Sequence, residues 1–244
     1  SEEHYNNLKK YALSNFDHLH ESLQKATIVY LINYCTRKLK RNNSYKYKLE
    51  LNKNFKLYLK YKLYKLTGEN FIRSDIFITI LSNFFAVGKI TEAIKFLEDN
   101  IESIQPSHRK NMTAIANALL QFEKKDFGES LKHASMIKSN TSLYKDKVKL
   151  LILKNHYELG NFDIAKELSN NYRSYLTENR HMTDLQKEKG MMFLHYYGIL
   201  WKIFDEKAIK VTLNGLRKEI GENNRFSESE WVISKIDELI NKSK

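Results

Sequence analysis

Lysine and tyrosine interleave through one stretch of this chain in a pattern that suits phosphates and bases. Residues 37–65 hold 11 basic side chains against 1 acidic one, and Tyr45, Tyr47, Tyr58, Tyr61 and Tyr64 fall among Lys46, Lys48, Lys53, Lys56, Lys60, Lys62 and Lys65. Lysine neutralises phosphate and aromatic rings stack on bases, so single-stranded nucleic acid is one partner this mixture fits. On a helix, Lys53, Lys56 and Lys60 share one narrow stripe that could track a backbone. The competing reading is structural: the rings fill gaps between helices and the lysines solvate the outside. Arginine, better suited to planar phosphate recognition, occurs here only at Arg37 and Arg41.

Other chemistry-bearing residues are sparse. His18 and His20 sit two apart, which on a helix points them away from each other, and no His pair has a third ligand at zinc-type spacing. No metal site is expected. His156 and His195 lie on apolar stripes and read as packing residues. The single Cys35 excludes an intramolecular disulfide and lies between Tyr34 and Thr36 with no His or Asp partner in reach, so it reads as a buried structural thiol. No phosphate-binding glycine loop, nucleophile elbow or metalloprotease helix occurs. The sequence therefore gives catalysis no foothold, and no cofactor is expected.

Bulk properties narrow the class further. With 42% hydrophobic and 29% charged residues, the 244-residue chain resembles ordinary globular proteins. Only 8 Gly and 1 Pro argue against a strand-and-turn architecture. Residues 1–69 carry a net +8 of the chain's +12, so the positive potential belongs to one segment. The longest apolar run, residues 76–87, is well short of the roughly 20 residues a membrane helix needs. No secretory signal is visible, and lone-cysteine usage fits a reducing, cytoplasmic setting. The chain opens at Ser1 and not Met, which leaves room for a targeting or catalytic region upstream.

The elements that position these residues announce themselves through a repeat. Residues 84–94, 121–131 and 156–166 each place an aromatic before a tight polar turn, then a bulky residue (Ile90, Phe127, Phe162), then a small one three later (Ala93, Ser130, Ala165). Helical hairpins explain this: Gly88 and Gly160 take the left-handed conformation that closes the first helix, and the small residue lets the second helix approach. The pattern resembles the tetratricopeptide repeat, whose period is about 34 residues. It departs from that pattern at the small position inside the first helix, occupied by Leu81, Ala118 and Leu153, and only Pro106 supplies a closing proline. The whole chain is similar to a group of bacterial tetratricopeptide-like proteins through residues 31–38, 119–127, 157–160 and Glu230-Trp231. That resemblance implies the C-terminal part of a longer solenoid and no activity. It also implies a ligand groove lined by the first helices, onto which the register puts Ser82, Phe85, Phe122, Glu123, Lys147, Lys154, Tyr157 and Glu158. A peptide or amphipathic helix suits such walls, unless the chain's own helices fill them.

The expected fold is all-α, a right-handed superhelical solenoid of about six antiparallel helix pairs in one domain over 1–244. The clearest repeats cover about 72–105, 108–140 and 143–178, followed by C-terminal helices in 183–243. Helices are expected at 17–41, from Thr183-Asp184 to about Phe204, at 206–220 and at 227–242, the last with a Ser227–Glu230 capping box. Ser44 is expected to cap the helix after the 42–44 turn. Residues 45–59 alternate with period two, which also fits a hairpin through Asn52-Lys53-Asn54. The absence of a turn glycine and the helical surroundings favour helix, with residues 55–66 apolar on two faces. Residues 1–16 are expected to cover an apolar end face or to self-associate. The leading function is a non-enzymatic scaffold for a protein or peptide; the alternative is nucleic-acid binding through Lys53, Lys56 and Lys60.

Overall fold

The computed structural model describes residues 1–42, 44–65, 70–137, 144–206, 213–222, 226 and 228–242. Every regular element among them is helical and none is a strand. Twelve α-helices follow in order: α1 (Glu2–Ser14), α2 (Glu21–Asn42), α3 (Tyr45–Lys60), α4 (Ser74–Ala86), α5 (Ile90–Asn100), α6 (Pro106–Glu123), α7 (Phe127–Ser135), α8 (Lys145–Glu158), α9 (Phe162–Glu178), α10 (Asp184–Glu206), α11 (Leu213–Glu222) and α12 (Ser229–Lys242). Contacts group them into two compact units, Ser1–Val148 and Lys149–Lys244.

Three helix ends share one backbone solution. The amides of Lys89, Asp126 and Asn161 donate to the carbonyls of Phe84, Gln121 and His156, each at 2.9 Å, and the amides one residue earlier donate to Phe85, Phe122 and Tyr157. This is the paired bonding of a Schellman ending, which satisfies carbonyls the helix leaves open. It requires a left-handed residue, supplied by Gly88 (φ +72°), Gly160 (φ +71°) and, in the middle copy, Lys125 (φ +63°). The turn after α3 repeats the geometry, with Lys62 at φ +50° and the Leu63 amide on the Tyr58 carbonyl. That fourth ending carries no glycine and escapes the sequence pattern.

The small residues after the three turns are removed from solvent. Ala93, Ser130 and Ala165 are fully buried. Ser130 Oγ donates to the Ala118 carbonyl at 2.7 Å, a hydroxyl-to-backbone contact made possible by a small residue on each helix. Leu81 and Leu153, which stand where Ala118 does, are buried too.

In the first unit, α2 packs on α3, α4 on α5 and α6 on α7, while α3 touches α4 and α6 touches both α4 and α5. Phe77, Ile80 and Leu81 of α4, Phe96 of α5 and Met112 and Ile115 of α6 sit at the centre of its core. A single parallel bridge between Ile72 and Ile104, with the Ile72 amide on the Ser103 carbonyl at 2.7 Å, ties together the approaches to α4 and α6. Pro106 opens α6 at its first turn, where a missing amide costs nothing. Residues 1–16 lie on this unit, with Tyr5, Ala12 and Phe16 buried.

α3 is one unbroken helix across Asn52-Lys53-Asn54, so the hairpin alternative falls. Asn52 and Asn54 are buried there because their amides find partners: Asn52 Nδ2 donates to Asn83 Oδ1 at 3.0 Å and Asn54 Nδ2 to Tyr5 Oη at 3.4 Å. The helix stops at Lys60, earlier than the expected run to 66, because Lys62 turns left-handed. Ser44 occupies the N-cap position, but its hydroxyl caps no amide. Residues 42–44, the 206–220 helix and the Ser227 capping box fall partly outside the described residues.

In the second unit, α9 packs on α10, α11 on α12, and α10 on α12. Thr183 and Gln186 form a reciprocal capping box at the start of α10: the Thr183 amide reaches Gln186 Oε1 at 2.8 Å and the Gln186 amide reaches Thr183 Oγ1 at 3.3 Å. Gly190 lets α9 come close. A Cβ there would lie 2.7 Å from Leu176 Cδ1 and 3.1 Å from Tyr172 Oη, both on fully buried side chains.

Candidate functional site

The repeat register puts eight side chains on the first-helix face, and the structure sorts them into two groups. In the first unit, Lys147 Nζ donates to Ser82 Oγ at 2.6 Å, joining α8 to α4 on that face. Phe85 packs against the core from a half-buried position. The Phe122 ring meets Phe127 edge-on at 5.5 Å, the bulky residue after the turn closing over the aromatic before it. Phe122 is half-buried and Glu123 is exposed.

In the second unit, Lys154, Tyr157 and Glu158 share one face of α8, and that face is covered. Tyr157 meets Phe162 at 5.8 Å, just as Phe122 meets Phe127, and then packs edge-on against Trp231 of α12 at 5.3 Å. Phe193 and Tyr197 of α10 complete an aromatic nest around the indole, with centroids 6.2 and 6.1 Å away. The polar edges are matched as well. Trp231 Nε1 donates to Glu158 Oε1 at 2.8 Å, and Lys235 Nζ donates to Glu158 Oε2 at 2.9 Å. Lys154 Nζ donates to Glu228 Oε2 at 2.5 Å. These two ion pairs are largely removed from water, the side chains of Lys154, Glu228, Lys235 and Glu158 being between 10% and 16% exposed. Burial also pushes the Tyr157 and Tyr197 phenols well above their ordinary pKa. Glu228, Trp231 and Lys235 were missed by sequence reasoning. Glu230-Trp231 was noticed for its resemblance alone, since nothing local tells which face of another helix an indole will meet.

The basic stripe keeps part of its expected character. Lys53, Lys56 and Lys60 are exposed along one line of α3. Lys53 stands 4.0 Å from Glu50, Lys56 pairs with Glu92, and Lys60 lies over the Tyr61 ring at 4.9 Å. Most of the aromatic half of the pattern turns inward, Tyr45 alone being exposed and Tyr61 half-buried. Tyr47, Tyr58 and Tyr64 are buried in the core, and even Lys48 is only 7% exposed. Rings held there cannot stack on bases.

Cys35 lies at the centre of a buried polar cluster. Its Sγ is 3.4 Å from Tyr5 Oη and 3.6 Å from Asn54 Nδ2, and Tyr5 Oη donates to Glu50 Oε1 at 3.0 Å. Lys9 pairs with the same carboxylate. Burial pushes the thiol pKa up, which keeps it protonated and poorly nucleophilic. The arrangement fastens α1 to α2 and α3. His156 sits half-buried, whereas His195 is exposed, edge-on to Tyr196 at 5.1 Å, so the packing role expected for it falls: its position on α10 faces solvent.

No protein-family model, no curated protein and no solved structure matches this chain.

Proposed function

We propose that the chain is a non-catalytic binding module built from tetratricopeptide-like helix pairs stacked as a right-handed solenoid, and that it holds a protein partner through an amphipathic helix or extended peptide. The observation that carries this reading is the seating of α12 on α8 and α10. One aromatic anchor, Trp231, fills a nest of Tyr157, Phe193 and Tyr197, and buried ion pairs fix it on either side. That is the helix-in-groove mode of recognition, an apolar anchor giving affinity and charges giving register. Phe122 and Glu123 stand 35 residues before Tyr157 and Glu158, at the same places after the same kind of turn, and carry similar chemistry in a more accessible form. The repeated turns and the buried Ala93, Ser130 and Ala165 support the repeat reading itself.

A protein partner is preferred over nucleic acid because three of the five tyrosines of the basic stretch, Tyr47, Tyr58 and Tyr64, are in the core and Lys56 already has a carboxylate partner. A photo-crosslinking side chain placed at Phe85 or at Phe122 of the full chain, in cells, tests the proposal. One adduct of the same discrete mass is expected from both positions and none from Leu185, an exposed site on α10. No adduct, or the same products from Leu185, would count against it.

A further inference from the structure

A cavity of about 340 Å³ opens between α2, α3 and the start of α4, and it shares no residue with the first-helix face or the lysine stripe. Its inner wall is apolar: Phe55 and Tyr58 come from α3, Tyr64 from the turn beyond, and Val29 and Ile76 from the flanking helices. Besides the tyrosine hydroxyls, its polar groups are Lys25, Asn33 and Arg73. Lys25, Val29, Ile32 and Asn33 follow helical spacing, so one face of α2 forms that side of the cavity.

Among the described residues the charges at the mouth do not cancel. Arg73 holds Asp75 through Nε at 3.1 Å and Nη2 at 2.8 Å, so that carboxylate offsets one of the two cations. Lys25 is half-buried, and neither it nor the Asn33 amide makes a hydrogen bond or ion pair among the described residues. No acidic side chain among the described residues lines the cavity. Among the described residues the Lys25 ammonium therefore stands uncompensated beside an aromatic wall. An ammonium partly withdrawn from water attracts an anion more strongly than one in free solution.

We propose that this cavity binds a small monocarboxylate with an apolar body. The carboxylate sits against Lys25, with Asn33 as a further donor, and the hydrocarbon part lies on Phe55, Tyr58 and Val29. The volume is at the small end of the range for ligand pockets, about 300–1,000 Å³, which suits a short alkyl chain or a single ring and not a nucleotide. A phosphate dianion asks for two charges, and the second cation is already committed to Asp75.

Isothermal titration of the full chain with octanoate, 1-octanol and inorganic phosphate, in low salt at neutral pH, tests this. Octanoate should bind more tightly than octanol, and phosphate should give no saturable heat. Lys25→Met should weaken octanoate about tenfold or more and leave octanol unchanged. Val29→Trp, at an already part-exposed position, should fill the cavity and abolish binding of both. Lys53→Met, on the separate basic stripe, should change nothing. Circular dichroism confirms that each variant keeps its helices. The proposal is overturned if octanoate gives no saturable heat, if Lys25→Met binds it as tightly as the parent, if Val29→Trp binds it undiminished, or if phosphate competes with it.

Discussion

Glu123 and Glu158 each stand just before one of the similar helix-ending turns, yet one is exposed and the other has a side chain only 13% exposed. Phe122 and Tyr157, one residue before them, differ in the same direction. The helices that bear them end in the same hydrogen-bonded turn, and each ring meets the same kind of residue after it. What separates the two regions is therefore not local structure. It is the presence of α12, which in the second unit brings an indole, an ammonium and a carboxylate to a face of the kind the first unit keeps more accessible. Local sequence sets the helix end; a later helix decides whether the surface beside it is spent within the unit.

The difference can be broken most strongly at the anchor. Trp231→Ala should destabilise the second unit by about 3 kcal/mol, since it empties an aromatic nest and removes one of the two donors to Glu158, whereas Phe122→Ala should cost about 1–2 kcal/mol. Urea denaturation followed by circular dichroism would show this, and equal losses would erase the distinction. The next effect concerns the covered ion pair. Lys235→Met leaves Glu158 short of its cation in a site with little water and should cost about 2–4 kcal/mol. Adding Glu158→Gln should recover most of that loss, because a neutral amide needs no counter-charge. Lys147→Met, at the first-unit bond to Ser82, should cost no more than about 1 kcal/mol. A double variant as unstable as the single one would show that the pair does not act as a unit.

The smallest effect sharpens the similarity of the turns. Lys125 holds the left-handed conformation that Gly88 and Gly160 hold without strain. Lys125→Gly should stabilise the first unit by about 0.5–1 kcal/mol, and Gly160→Ala should destabilise the second by about 1 kcal/mol. Melting temperatures that move together in either direction would mean that the turns are not equivalent.

These contrasts also mark what could be read from the chain alone. The three turns were legible because their determinants lie within about ten residues of one another, with Gly88 and Gly160 before the bend and Ala93, Ser130 and Ala165 after it. α3 was legible only in part. Its alternating lysines imitate a strand, while the buried residues Tyr47, Leu51, Phe55 and Tyr58 follow helical spacing. The fate of Lys154, Tyr157 and Glu158 was not legible, because their partners on α12 and at Glu228 just before it are 73–77 residues away and make contact through tertiary packing. The cavity between α2, α3 and α4 was hidden for the same reason: its lining is gathered from residues 25–76, and no short segment displays it.

The seclusion of Cys35 has a practical corollary. With only one thiol in 244 residues, and that one lying beneath Tyr5 with no solvent exposure, alkylating reagents can reach sulfur only when α1 lifts away or the unit opens. The rate at which the chain takes up such a label is thus a clock for the breathing of its amino-terminal helices, readable by mass without any engineered probe.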